Sequence, residues 1–190
     1  MRPINGFTAQ RRNQGYPQLP AGCYVAQIKR AWVEGEVPQQ FLILRTEISE
    51  GDQMGYFTKR WKHDQAVGGK YEPKYKGDFK LRVPDERNAY PESDQKKLED
   101  AIAKVEESNP GYHWDWNESG LVNLYIGINV QPGEYNGVYF TRIGGLESVD
   151  DVRSGKAVPM KAREQKGDAY EPQVDRISGM QVVVDDSLPF

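Results

Sequence analysis

This sequence predicts a mainly β domain, five short strands with a single helix between the third and the fourth. Three observations carry that expectation. Apolar residues alternate with polar ones in five main stretches, turn-forming Gly, Pro, Asn and Asp cluster between them, and one segment alone repeats apolar residues at helical spacing. The first stretch, residues 23–33, places Tyr24, Ala26, Ile28 and Trp32 on one face, interrupted by Arg30. Glu34-Gly35-Glu36-Val37-Pro38 turns the chain, and residues 41–48 alternate again, with Leu42, Leu44 and Ile48 opposite Arg45 and Glu47. After a turn at Glu50-Gly51-Asp52, residues 56–62 read as the third strand. Tyr56, Thr58 and Arg60 would share one face and Phe57, Lys59 and Trp61 the other. Glycines and prolines break the rhythm from 63 to 92, although Phe79, Leu81 and Val83 offer a short extra strand.

The helix spans residues 93–108. Ser93 is its N-cap, Leu98, Ile102 and Val105 form its apolar stripe, and Asn109-Pro110-Gly111 stops it. An aromatic loop follows, in which Trp114 and Trp116 read as caps on the end of the domain beneath the helix. Residues 121–130 alternate strongly, Pro132-Gly133 and Asn136-Gly137 bracket a turn, and residues 138–146 form the last strand. Strand, strand, strand, helix, strand, strand is the element order of the OB-fold, a five-stranded Greek-key barrel.

Composition bounds the rest. With 37% hydrophobic residues among 190 and a mean hydropathy of −0.78, the chain suits a core of roughly 120–130 residues with polar ends. Residues 1–19 read as a flexible basic arm carrying Arg2, Arg11 and Arg12, 20–153 as the OB-fold domain, and 154–184 as a disordered linker. Within that linker Val182-Val183-Val184 reads either as a weak strand or as part of a docking peptide. No apolar run approaches the ~18–20 residues that cross a bilayer, and no apolar signal region opens the chain. A cytoplasmic protein with no membrane partner is expected. Cys23 stands alone, which excludes an internal disulfide, and His63 and His113 do not make a zinc cluster.

The net charge of −3 hides a polarised distribution. Residues 55–82 hold eight basic side chains against three acidic ones, interleaved with aromatic rings. Phosphates need a basic path and bases need flat rings to stack on, so this stretch is the candidate for single-stranded nucleic acid. Its candidates are Tyr56, Lys59, Arg60, Trp61, Lys62, Lys70, Tyr71, Lys74, Tyr75, Lys76, Lys80 and Arg82, joined by Arg30, Trp32 and Arg45 from the first two strands. One face of the strand at 56–62 must pack inward, so part of its aromatic set is core. Arg11 and Arg12 either touch phosphate or are simply solvated.

The end of the sequence, Asp185-Asp186-Ser187-Leu188-Pro189-Phe190, reads as a docking tip. Phe190 can fill an apolar pocket while its carboxylate meets an Arg or Lys, Leu188 adds apolar contact, Asp185 and Asp186 suit a basic rim, and Pro189 pre-sets the backbone. This tip resembles that of bacterial single-stranded-DNA-binding proteins, which read Asp-Asp-(Asp)-Ile-Pro-Phe; here Ser187 and Leu188 stand in place of Asp and Ile. A second likeness covers residues 19–153: Leu19-Pro20-Ala21-Gly22-Cys23-Tyr24-Val25, Ile48-Ser49-Glu50-Gly51, Gly55-Tyr56-Phe57, Glu106-Glu107-Ser108-Asn109-Pro110-Gly111-Tyr112 and Gly133-Glu134-Tyr135-Asn136-Gly137. These loop signatures resemble small OB-fold single-strand binders of phages and integrative elements in Gram-positive bacteria. The resemblances imply sequence-tolerant binding and protection of single-stranded DNA in a bacterial host cytoplasm, at the nucleoid. They also imply recruitment of host or phage replication, recombination and repair proteins through the tip. A protein-interaction scaffold and a recombination or annealing accessory are the alternatives, and a homo-oligomer is left open.

No catalytic set emerges. Asp64 with Glu72-Pro73-Lys74 imitates a metal-dependent nuclease pattern, but a proline in a glycine-rich loop does not set carboxylates on adjacent strands. Gly68-Gly69-Lys70 is followed by Tyr71 where a phosphate loop needs Ser or Thr. A non-enzyme without cofactor or metal is expected.

Overall fold

The computed structural model describes residues 15–69, 72–135 and 138–161. Most of the expected arm, the linker from 162 onward and the tip at 185–190 lie outside them. The described chain is mainly β, in the order β1 (Gly22–Glu34), β2 (Phe41–Ile48), α1 (Tyr56–Val67), β3 (Asp78–Arg82), α2 (Pro91–Ser108), a 3-10 turn (Glu118–Leu121), β4 (Tyr125–Tyr135), β5 (Val138–Glu147) and α3 (Val149–Arg153). The strands form one antiparallel sheet, ordered β3-β2-β1-β4-β5. Among the described residues no ladder joins β3 to β5, so the sheet is open.

The strand expected at 56–62 is a helix, and the third strand is the short one at Asp78–Arg82. The reason is tertiary. Gly55 takes φ 75°, where a Cβ is unfavourable, and turns the chain into α1 as its N-cap residue. The carboxylate of Glu47 then accepts from the N–H groups of Phe57 (3.0 Å) and Thr58 (2.7 Å). A buried anion thus satisfies donors that open the helix and faces the positive end of its dipole. Tyr56 and Phe57, adjacent in sequence, are both buried by that first turn, which no strand would allow on one face.

The helix α2 begins at Pro91, with Tyr90 and not Ser93 in the N-cap position, and Glu92 and Asp94 favour its N-terminus. Its stripe Leu98, Ala101, Ile102 and Val105 shares one core cluster with Ala26, Ile28, Leu42, Leu44, Ile126 and Ile128 from the sheet. Each such fully buried aliphatic side chain contributes about 1.5–3 kcal/mol. Asn109 ties the helix end to β4, donating to the Val105 and Tyr125 carbonyls and accepting from the Tyr125 N–H at 2.9 Å. Beyond α3 the chain runs along the sheet: the Asn129 amide donates to the Val158 carbonyl (2.9 Å) and accepts from the Met160 N–H (3.0 Å).

A bulge in β1 decides what faces outward. The pairing with β2 shifts between Ile28 and Arg30, so Lys29 is the extra residue that inverts the alternation. Ala26 and Ile28 point into the core, but beyond the bulge it is Ala31 that packs there, opposite Leu44. Arg30 and Trp32 go to the other face, opposite Arg45 and Ile43. The interruption that Arg30 makes in the apolar pattern is this bulge.

Candidate nucleic-acid interface

The outer face of β1, β2 and β3 can be read from register. Arg30 lies opposite Arg45, Trp32 opposite Ile43, and on the far side Phe41, Ile43 and Arg45 lie opposite Arg82, Lys80 and Asp78. Period-2 alternation puts all of these on one side, away from Leu42, Leu44 and Leu81. Five sequence candidates, Arg30, Trp32, Arg45, Lys80 and Arg82, therefore share a surface.

A second element completes it. The chain at 72–77 returns from α1 to β2 and is pinned there: the Thr46 N–H and hydroxyl both donate to the Gly77 carbonyl, at 2.8 and 2.9 Å. A Cβ at Gly77 would stand 2.4 Å from the Thr46 carbonyl oxygen and 2.8 Å from the rings of Phe57 and Tyr75. Only glycine permits this approach. Tyr75 is thereby laid beside the strand face, its hydroxyl donating to Glu47 Oε2 at 2.9 Å. Burial pushes the Tyr75 phenol up from its ordinary value.

The result is a continuous run of rings and guanidinium groups. Arg30 lies 4.9 Å from the Trp32 ring centre and Arg45 lies 5.2 Å from it. Arg45 is also 4.7 Å from the Tyr75 ring, and Tyr75 meets Trp61 of α1 edge-on at 6.5 Å. Arg45 is locked between the rings by a two-pronged bond to Asp78, 2.7 and 2.8 Å. Its charge is matched and its geometry fixed, so its work is to hold Trp32 and Tyr75 in place. Arg30 is exposed and has no ion-pair partner among the described residues.

The other candidates divide. Lys80 pairs loosely with Glu34 at 3.7 Å, and Arg82 lies over Phe41 at 5.0 Å with Asp94 at 3.7 Å. Lys62, Lys74 and Lys76 are exposed on α1 and the following loop. Lys59 is exposed too, but its ammonium caps the Met54 carbonyl at 2.8 Å. Arg60 turns back to the Tyr56 hydroxyl (3.3 Å) and Asp64 (3.8 Å). Tyr56 belongs to the core, 4% exposed, its hydroxyl donating to the Pro17 carbonyl. Lys70 and Tyr71, like the tip residues Asp185, Asp186, Leu188, Pro189 and Phe190, lie outside the described residues.

Phe41 belongs to the face and was not among the candidates, although the parity of Arg45 and Glu47 points to it; Ile43 shares that side of the sheet but is buried. Asp78 and Glu47, which position Arg45, Tyr75 and α1, had no local signal at all. Among the described residues no group of three His, Cys, Asp or Glu side chains gathers as a metal site. No described helix is long and apolar enough to cross a membrane. The chain matches no protein-family model and no curated protein sequence.

Proposed function

We propose that this protein binds single-stranded DNA with little sequence preference, along the outer face of β1, β2 and β3 and the adjoining edge of α1. The observation that carries the reading is the run Trp32–Arg45–Tyr75–Trp61, two indoles and a phenol ring linked by a fixed guanidinium. Every base has a π-face, so such a platform takes any sequence, at about 1–3 kcal/mol per stacked base. Arg30, Lys62, Lys74, Lys76 and Lys80 supply the exposed cations that a phosphate chain beside those rings requires.

The same reading treats the domain as an OB-type Greek-key barrel left open between β3 and β5, with α1 inserted between its second and third strands. In that description α2 is the helix between strands three and four, and the nucleic-acid face is the usual one for the class. The hexapeptide Asp185–Phe190 supplies recruitment of replication, recombination or repair proteins, on the strength of its sequence.

Trp32→Ala and Trp61→Ala test the platform. Each variant is expected to weaken binding of a labelled oligo-dT strand by about 1–3 kcal/mol, roughly five- to 150-fold, at a temperature where urea unfolding shows the free variant still folded. Full affinity in both variants would refute the placement of the strand on this face.

A further inference from the structure

A second concave site lies away from this strip. A groove of about 480 Å³ opens between α2 and the aromatic loop, walled by Val83, Leu98, Ile102, Trp114 and Trp116, and among the described residues its only charged lining side chains are Glu99 and Glu106. Asp115 and Glu118 stand beside it in sequence. Trp116 is 74% exposed and holds φ 67°, a left-handed conformation that a bulky side chain adopts rarely. Its ring lies 4.6 Å from that of Trp114, whose indole N–H is buried with no acceptor among the described residues. An apolar trough, an indole held out into water, an unused donor and an acidic rim together specify a ligand. It is a peptide with an apolar plug, backbone carbonyls and positive charge.

We propose that the arm ahead of residue 15 in this same chain occupies the groove, with Phe7 as the plug and Arg11 and Arg12 at Glu99 and the face of Trp116. Charge selects this segment. Residues 1–14 contain three arginines and no carboxylate, whereas residues 162–190 contain three basic side chains against six acidic ones and are repelled by the rim. The arm joins the fold at Tyr16, which packs against Tyr56 and His63 at 5.5 and 5.3 Å. The nine residues from Phe7 to Tyr16 extend up to about 30 Å, a reach on the scale of a small domain. An arginine over an exposed indole is worth about 0.5–1 kcal/mol, and the Glu–Arg pairs make docking salt-dependent. This site is independent of the strip and of its DNA.

The test uses the full-length chain with Phe7 replaced by the photo-crosslinker p-benzoylphenylalanine, irradiated at dilute protein and mapped by mass spectrometry. Crosslinks within one molecule, to 95–106 or 114–116, are expected. Trp116→Ala should lower their yield about two- to fivefold, and Glu99→Lys and added salt should lower it as well. Both side chains are exposed, so unchanged melting temperatures will show that lost crosslinking is not unfolding. Crosslinks to another part of the fold, crosslinks only between two molecules, or no crosslinks at all would overturn the assignment. So would yields indifferent to both substitutions.

Discussion

Arg45→Ala and Arg30→Ala separate the two roles that a basic residue can play in the strip. Arg45 makes cation–π contacts to Trp32 and Tyr75 and two hydrogen bonds to Asp78. Removing it forfeits two ring contacts of about 0.5–1 kcal/mol each and leaves a partly buried carboxylate without its donor, so stability should fall by about 1–3 kcal/mol. Because Asp78 already matches its charge, Arg45 should neutralise no phosphate. The affinity for single-stranded DNA should drop through misplaced rings, by about 1–3 kcal/mol, with an unaltered salt dependence. Arg30 behaves in the opposite way. It has no carboxylate partner, and its loss should flatten the slope of log K against log salt by about 0.7, one phosphate's worth on a single strand, and cost stability only its one ring contact to Trp32, about 0.5–1 kcal/mol. The assay is fluorescence anisotropy of labelled oligo-dT across a salt series, alongside urea unfolding of each variant. A flattened slope for Arg45→Ala, or an unchanged one for Arg30→Ala, would refute the division of roles.

Other consequences concern the supports of the site. Glu47→Ala strips the acceptor from the N–H groups of Phe57 and Thr58 and from the Tyr75 hydroxyl, and should cost about 3–5 kcal/mol in urea unfolding, loosening α1 first in hydrogen exchange. Gly77→Ala drives a Cβ into the Thr46 carbonyl and should cost about 1–3 kcal/mol or more, visible as a lowered melting temperature. Burial raises the Tyr75 phenol above its ordinary value of 10.0, so the fold favours the neutral form. The stability this confers is complete below pH 10 and declines above it, as the unfolded chain ionises first. Tyr75→Phe should remove that alkaline decline, and parallel pH–stability curves for the two proteins would count against it.

The sequence shows what is decided locally and hides what is decided at a distance. The second strand falls at residues 41–48 as its alternation requires, and α2 follows its stripe Leu98, Ile102 and Val105. The segment at 56–62 misleads because aromatic and charged residues alternate there by coincidence. What makes it helical is Glu47, ten residues from Phe57, together with the left-handed turn at Gly55. Trp32 looked continuous with the core face because nothing in the residues marks Lys29 as a bulge, although the misplaced Arg30 was its trace. The five-residue helix α3, capped by Ser148, is too short to carry a periodic signal. The site was half legible: the rings and cations were visible as a composition, while Asp78, Glu47 and Gly77 fix them through contacts that only folding creates.

The most direct measurement compares a labelled oligo-dT strand with a duplex of equal length, by anisotropy across a salt series on the full-length protein. The account predicts marked preference for the single strand, a steep loss of affinity with salt, and residual binding at high salt from stacking on Trp32, Tyr75 and Trp61. Equal affinity for strand and duplex, or no binding at low salt, would contradict it.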